Sequence, residues 1–340
     1  MNGFQNTTIK VLAERLGVSK GTVSKALQDS HEISIATKTK ILAVAKQLNY
    51  TPNHFASGLK SKKSKTLAVI VPAIVDSFFS LVINGIEAVA RKKGYHINIY
   101  ITNDLISKEQ DIVQVLSDGR VDGVLISLCG EASNGKHIAK LIDHGIPLVF
   151  FDRVADDLEA AKIVTDDFNS GYIATRHLIE QGCKNIHFFS VSESLSILQE
   201  RVGGFIRALD EGDHEDPVNN VYQIPMDEAE SLDEIKLLLS DPLKRPDGIV
   251  LSVESLIIPL YRACRELNLV IPKEIKIICF SCLQYADFLS PSLSTVTQPA
   301  FEIGRQAADL ICYSIDRNIQ IESERIVCPS RLLIRESSCK

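Results

Sequence analysis

Near its start the chain gathers side chains suited to an anionic polymer: Thr8, Ser19, Lys20, Thr22, Ser24 and Lys25, with Gly21 among them. Lysine offers a mobile point charge to phosphates and a donor to base edges, and hydroxyls donate to phosphate oxygens. Charge is distributed accordingly. Residues 1–65 hold 11 Lys and Arg against 3 Asp and Glu, and the rest of the 340-residue chain holds 26 against 40. The net charge of -6 is therefore a basic head on an acidic body. That asymmetry is the electrostatic footprint of a chain end that meets a polyanion.

A second set of reactive side chains is spread through the body. Phe78, Phe79, Asn103, Ser127, Asp152, Arg153 and Asp166 lie in or near segments that follow apolar runs, and Ser192, Arg201, Glu254 and Ser281 complete the set farther on. Carboxylates, guanidinium groups, hydroxyls and aromatic faces are the groups that orient a small polar ligand. Enzymatic chemistry is not indicated. The first body strand ends Val69-Ile70-Val71-Pro72 with no G-x-G-x-x-G after it, and no Walker-type loop, G-x-S-x-G elbow or H-E-x-x-H occurs. No cofactor is expected. The eight cysteines are dispersed, and the lone C-x-x-C, Cys279-Phe280-Ser281-Cys282, cannot by itself complete a four-ligand zinc site. It reads as a coincidence at a strand end, and no metal is expected.

The head side chains need rigid elements to present them. Thr8 suits the N-cap of a helix over Ile9–Leu16, with Val11 or Leu12 on its buried face. Gly17-Val18-Ser19 stops it, Gly17 for a left-handed turn and Ser19 to cap a second helix from Lys20. That second helix should bury Val23 and Leu27 and expose Lys20, Gly21, Thr22, Ser24 and Lys25. Ser34 caps a third, with Ile41, Leu42, Ala45 and Leu48 at helical spacing. Two short helices joined by a tight Gly-containing turn form a helix-turn-helix, whose second helix enters the major groove.

From Thr66 the chain alternates β-rich runs with amphipathic segments. The strand candidates are 67–71, 96–101, 123–127, 147–151, 163–165, 186–190, 248–252 and 275–280. This alternation calls for parallel sheets with helices on both faces, and the length suits two lobes. Ligands in doubly wound folds sit beyond the carboxyl ends of the strands, where the second set of side chains falls. The chain shows no 18-residue apolar run and no signal-peptide pattern at Met1–Thr8, so a cytoplasmic location is expected.

The stretches Leu16-Gly17-Val18-Ser19, Thr22-Val23-Ser24-Lys25-Ala26-Leu27 and Leu48-Asn49-Tyr50-x-Pro52-Asn53 resemble the DNA-reading head of the lactose-repressor family. Phrases such as Val121-Asp122-Gly123-Val124, Phe151-Asp152-Arg153 and Ser290-Pro291-Ser292-Leu293-Ser294 extend the resemblance over nearly the whole chain. The resemblance implies an all-α helix-turn-helix head (1–52), a hinge and linker (53–65), and an α/β body (66–340). The body would comprise two doubly wound parallel-sheet lobes of periplasmic-binding-protein type. The N-lobe would span about 66–160 and 296–320 and the C-lobe about 163–290 and 323–340, with chain crossings near 160–163, 290–295 and 320–323.

By the same resemblance Lys20, Gly21 and Lys25 touch base edges, and Lys25 replaces the family's usual Arg, trading a bidentate contact for a point charge. Asn53, Ala56 and Leu59 belong to a hinge that becomes helical on DNA, with Leu59 as a minor-groove wedge. Gly58 would weaken that helix by about 1 kcal/mol relative to Ala. In the cleft Phe78 and Phe79 would stack on the ligand and Arg201 would bind its oxygens alongside Asp152 and Asp166. Glu254-Ser255 stands where Asn-Asp is common, and Ser281 where an acid typically meets ligand hydroxyls. The implied function is a homodimeric repressor that binds palindromic operator DNA and answers to a sugar-like effector. The alternative is a two-lobed small-molecule binder with no DNA role.

Overall fold

In the computed structural model the described residues are 8–27, 29–48, 50, 64–130, 135–212 and 217–339. They fall into two compact units that divide between Ser64 and Lys65.

Among its described residues the first unit carries three helices, α1 (Ile9–Leu16), α2 (Lys20–Leu27) and α3 (Ile35–Gln47). Each begins at a hydroxyl. Thr8 Oγ1 accepts from the Val11 amide at 3.4 Å, Ser19 Oγ from Thr22 at 3.0 Å and Ser34 Oγ from Thr37 at 3.3 Å. These oxygens satisfy amides that have no partner within the helix. Gly17 closes α1 at φ 66, a left-handed turn that favours glycine. The small core joins Leu12, Ala13, Val23, Ala26, Ile41 and Ala45. The buried companion of Val23 is thus Ala26 rather than Leu27, which is only half-buried. In α1 the inward residue is Leu12, and Val11 is exposed. A small Ala lets short helices approach closely, a consideration that hydrophobicity alone does not weigh.

The second unit holds two six-stranded sheets. In the first, β1 (Thr66–Val71), β2 (His96–Ile101), β3 (Gly123–Ile126), β4 (Leu148–Phe151), β5 (Ala161–Thr165) and β11 (Arg325–Cys328) run parallel in the order β11-β5-β4-β3-β1-β2. The second contains β6 (Ile186–Ser190), β7 (Val221–Gln223), β8 (Gly248–Leu251), β9 (Lys276–Phe280), β10 (Ser294–Thr297) and β12 (Arg331–Leu333), in the order β12-β10-β9-β8-β6-β7. Among the described strands only β12 pairs antiparallel. The central strands are buried on both faces and read as unbroken apolar runs, Leu67–Val71 and Phe188–Phe189 among them. Apolar clusters lie on the two faces of each sheet.

The lobe memberships expected at the crossings shift. β5 (161–165) completes the N-lobe sheet rather than opening the C-lobe, β10 (294–297) belongs to the C-lobe sheet, and β11 (325–328) returns to the N-lobe. The chain therefore crosses after Thr165, after Thr297 and between Cys328 and Arg331. Edge strands find their sheet through ladder hydrogen bonds, and side-chain pattern says nothing of which sheet that is.

Two helix pairs pack against the sheets by backbone contact. In the C-lobe α7 (Asp167–Glu180) crosses α8 (Ser196–Glu211), and in the N-lobe α4 (Ser77–Lys92) crosses α11 (Ala300–Arg317). A Cβ at Gly171 would lie 2.0 Å from the Arg201 carbonyl oxygen, and one at Gly204 would lie 1.9 Å from that of Phe168. Glycine alone permits this approach. No helix among the described residues is long and apolar enough to cross a membrane.

Candidate ligand cleft and nucleic-acid interface

Residues that follow strands of both lobes, together with Arg201 from a helix, meet between the sheets. Arg201 is the most constrained of them. It projects from α8, is 3 % exposed, and donates from Nε to Asp167 Oδ1 at 2.8 Å and from Nη1 to the Ser252 carbonyl at 2.8 Å. Its guanidinium lies 4.2 Å above the Phe280 ring centroid. Asp167 in turn accepts from Thr165 Oγ1 at 2.8 Å. The close crossing of α7 and α8 fixes the backbone on which this pair is mounted.

Across the cleft, Asp152 follows β4 at φ 60, in the left-handed region. It is buried, receives Ser127 Oγ at 3.3 Å and lies 3.9 Å from Arg153 Nε. Burial pushes its carboxyl up to about 6, and the charges of Asp167 and Asp76 push the same way against Arg153 and Arg201. Arg153 Nη1 donates to Asp104 at 2.5 Å. Asp76, the N-cap of α4, accepts from the Phe78 amide at 3.1 Å, and burial followed by the Glu254 charge raises its pKa. Glu254 Oε2 accepts from Ser281 Oγ at 2.7 Å and from Ser77 Oγ, and so joins the two lobes.

The structure thus brings together Ser127, Asp152, Arg153, Arg201, Glu254 and Ser281. It sets others apart. Phe78 and Phe79 pack edge-to-face at 5.2 Å inside the N-lobe core, 6 % and 4 % exposed, and present no open stacking face. Asp166 caps α7 by accepting from the Asn169 amide at 3.1 Å, so the acid that meets Arg201 is its neighbour Asp167. Ser192 bonds within its own loop to Ser194 at 3.2 Å, and Asn103 is exposed at φ 54. Ser281 supplies no charge, but it donates to one: the carboxylate expected there comes from Glu254 instead. Asp76, Ser77, Asp167 and Ser252 were missed by sequence reasoning. The doubled acid Asp166-Asp167 was the available signal for the third of these.

Burial raises the Cys279 thiol and pushes Cys282 up to about 12, so both are held as neutral thiols. Among the described residues no group of His, Cys, Asp and Glu is placed to hold a metal ion.

In the head, Lys20, Gly21 and Lys25 are exposed on α2, while Thr22 and Ser24 are half-buried. The Ser19 and Thr22 hydroxyls bond to each other at 2.9 Å, and Lys25 pairs with Glu32 on the exposed surface. Thr8 and Ser19 act as caps, which directs them to their own helices. Asn53, Ala56 and Leu59 lie outside the described residues.

Residues 8–53 match the family described as bacterial regulatory proteins, lacI family, and residues 175–338 match the periplasmic binding protein-like domain. The probable HTH-type transcriptional regulator EndR of Paenibacillus polymyxa is 31% identical over 325 residues, 94% of this chain and 93% of its own length. The HTH-type transcriptional repressor PurR of Vibrio parahaemolyticus is 28% identical over 310 residues, 89% of this chain and 90% of its own. A LacI family transcriptional regulator from Enterococcus faecium, solved with bound ribose, superimposes with a TM-score of 0.71 at 26% identity over 81% of this chain and 98% of that one. The lac repressor dimer bound to operator and the anti-inducer ONPF gives 0.87 at 19% identity over 99% and 100%, a likeness of fold.

Proposed function

The chain belongs to the lacI family of bacterial regulatory proteins, and from that premise we propose that it is a cytoplasmic repressor that binds a palindromic operator as a homodimer. A small polyhydroxy effector, held between the lobes of the body, controls it. The observation that carries the effector half is Arg201, buried and fixed by Asp167, Ser252 and Phe280 at the converging strand ends. A guanidinium in such a frame presents its remaining edge to ligand oxygens without further ordering. Closure of the lobes on a ligand would shift the N-lobes of a dimer and the spacing of the paired heads, and thereby DNA affinity.

For the DNA half, Lys20 and Lys25 stand exposed on a helix capped by Ser19, with Gly21 leaving the groove-facing surface open between them. Thr22 and Ser24 flank these lysines as phosphate partners, with Thr8 at the N-terminus of α1. Asn53, Ala56 and Leu59 are assigned to the hinge from sequence alone. Selection of duplexes from a random pool by the full-length chain tests the reading. It should return a palindrome, and Lys25→Ala should lose about 1–3 kcal/mol on that duplex with little change on random DNA. A pool with no enriched palindrome would leave only the ligand-binding half.

A further inference from the structure

We propose that the effector carries a protonated amine, and that the cleft is built to exclude anionic ligands; the inference rests on the reading of the inter-lobe cleft as the effector site. Four carboxylates, Asp76, Asp152, Asp167 and Glu254, converge there on two guanidinium groups. Each guanidinium already holds a carboxylate. Arg201 is bonded to Asp167 at 2.8 Å and Arg153 to Asp104 at 2.5 Å. Arg153 reaches Asp152 only at 3.9 Å, from an Nε that is buried without a hydrogen-bond partner.

Asp76, Asp152 and Glu254 are left with neutral donors: a backbone amide on Asp76, the Ser127 hydroxyl on Asp152, and the hydroxyls of Ser77 and Ser281 on Glu254. Burial is the main cause of the upward shifts of Asp76 and Asp152, and neighbouring carboxylates add to it, Glu254 at Asp76 and Asp167 with Asp76 at Asp152. An ammonium group placed among them relieves the repulsion between these carboxylates, whereas a phosphate or carboxylate adds to it.

A separate observation points to a ligand at this place. Ser252 is wholly buried at the end of β8, with its carbonyl taken by Arg201, and its hydroxyl has no hydrogen-bond partner. Buried hydroxyls are rarely left so, and an incoming hydroxyl or amine would satisfy this one. Arg153 also borders a cavity of about 380 Å³ whose wall includes Asp156, Asp157, Ser194 and Leu195, within the range of small-molecule sites.

The test uses calorimetry on the full-length chain with glucose, glucosamine and glucose 6-phosphate, and the matching galactose set, at pH 7.5. On at least one frame the amine should bind at least about tenfold tighter than the neutral sugar, with no binding of the phosphate. Glu254→Gln and Asp76→Asn, both isosteric, should each narrow that preference to about threefold or less. A phosphate that binds best, or an amine no tighter than its parent sugar, overturns the proposal. If such binding is nonetheless lost in Arg201→Ala, the cleft stands as the effector site and only the charge assignment falls. Binding that survives Arg201→Ala removes the cleft reading itself, and silence from all six probes overturns both.

Discussion

Asp152 sits where its charge is disfavoured by the fold. The unfolded carboxyl titrates near 3.8 and the buried one at about 6, so the folded chain holds the extra proton between those values. Stability contributed by this group is therefore highest below pH 4, falls as pH rises through 4 to 6, and is absent above. The difference at neutral pH is on the order of 3 kcal/mol. Asp152→Asn should raise unfolding stability at pH 7.5 by about 1–3 kcal/mol, with the gain vanishing near pH 4, and should weaken effector binding. Urea titrations at the two pH values decide it; a variant less stable at pH 7.5 contradicts the assignment. Ser281 invites a paired test. Its hydroxyl donates to Glu254, so Ser281→Asp sets two carboxylates against each other and should destabilise the body. Combined with Glu254→Asn it should recover, with a coupling of about 1–3 kcal/mol in a double-mutant cycle. Additive effects would mean that the two side chains do not meet. Such residue detail was only partly legible beforehand. Asp152 stands at a strand end that an apolar run announces and Arg201 within an amphipathic helix, but whether Asp166 or Asp167 turns inward depends on a one-residue register at the start of α7. Periodicity does not fix that register.

At the scale of elements the same limit recurs. The apolar runs from Leu67 to Phe280 were readable as strands because central parallel strands are apolar on both faces. β7, three residues long and half-exposed, has no such signature. The expected crossings were displaced because β5, β10 and β11 look alike in sequence whichever sheet they join. Helix contacts were opaque for another reason, since a glycine that admits a neighbouring backbone resembles one that merely breaks a helix. Adjacent glycines in α8 separate the two. A Cβ at Gly204 would meet the Phe168 carbonyl oxygen at 1.9 Å, whereas one at Gly203 meets only the Phe168 ring, at 3.3 Å. Gly204→Ala should therefore cost about 2–3 kcal/mol or more and loosen the mounting of Arg201. Gly203→Ala should be neutral or stabilise by up to about 1 kcal/mol through helix propensity. Thermal unfolding of both variants provides the comparison, and equal losses would show that the crossing is not set by backbone contact.

On the scale of the molecule, the body is two lobes that share one chain three times. Near the crossings Gln298 Nε2 donates to Thr165 Oγ1 at 3.4 Å, and the step from β11 to β12 takes only residues 329 and 330. β11 is the edge of one sheet and β12 the edge of the other. The 3-10 turn after them locks the C-lobe from within: Ser337 Oγ donates to the Ile277 carbonyl at 2.7 Å, and Ser338 Oγ meets His177 at 2.9 Å and Ser294 at 2.7 Å. A stop after Glu322 should thus spoil both lobes at once while sparing the head. Limited proteolysis is expected to return a protected fragment of about residues 1–50 and no stable body; survival of either lobe would mean that its sheet closes without its last strand. This arrangement sets a timetable for synthesis. The three described head helices are complete by Gln47, but the first sheet cannot be finished until translation has passed Cys328, nor the second until it has passed Leu333, tens of seconds later at roughly 5–20 residues per second. Throughout that interval a DNA-reading head hangs from the ribosome with no working sensor behind it, and the open flanks of β5 and β10 wait for strands not yet made.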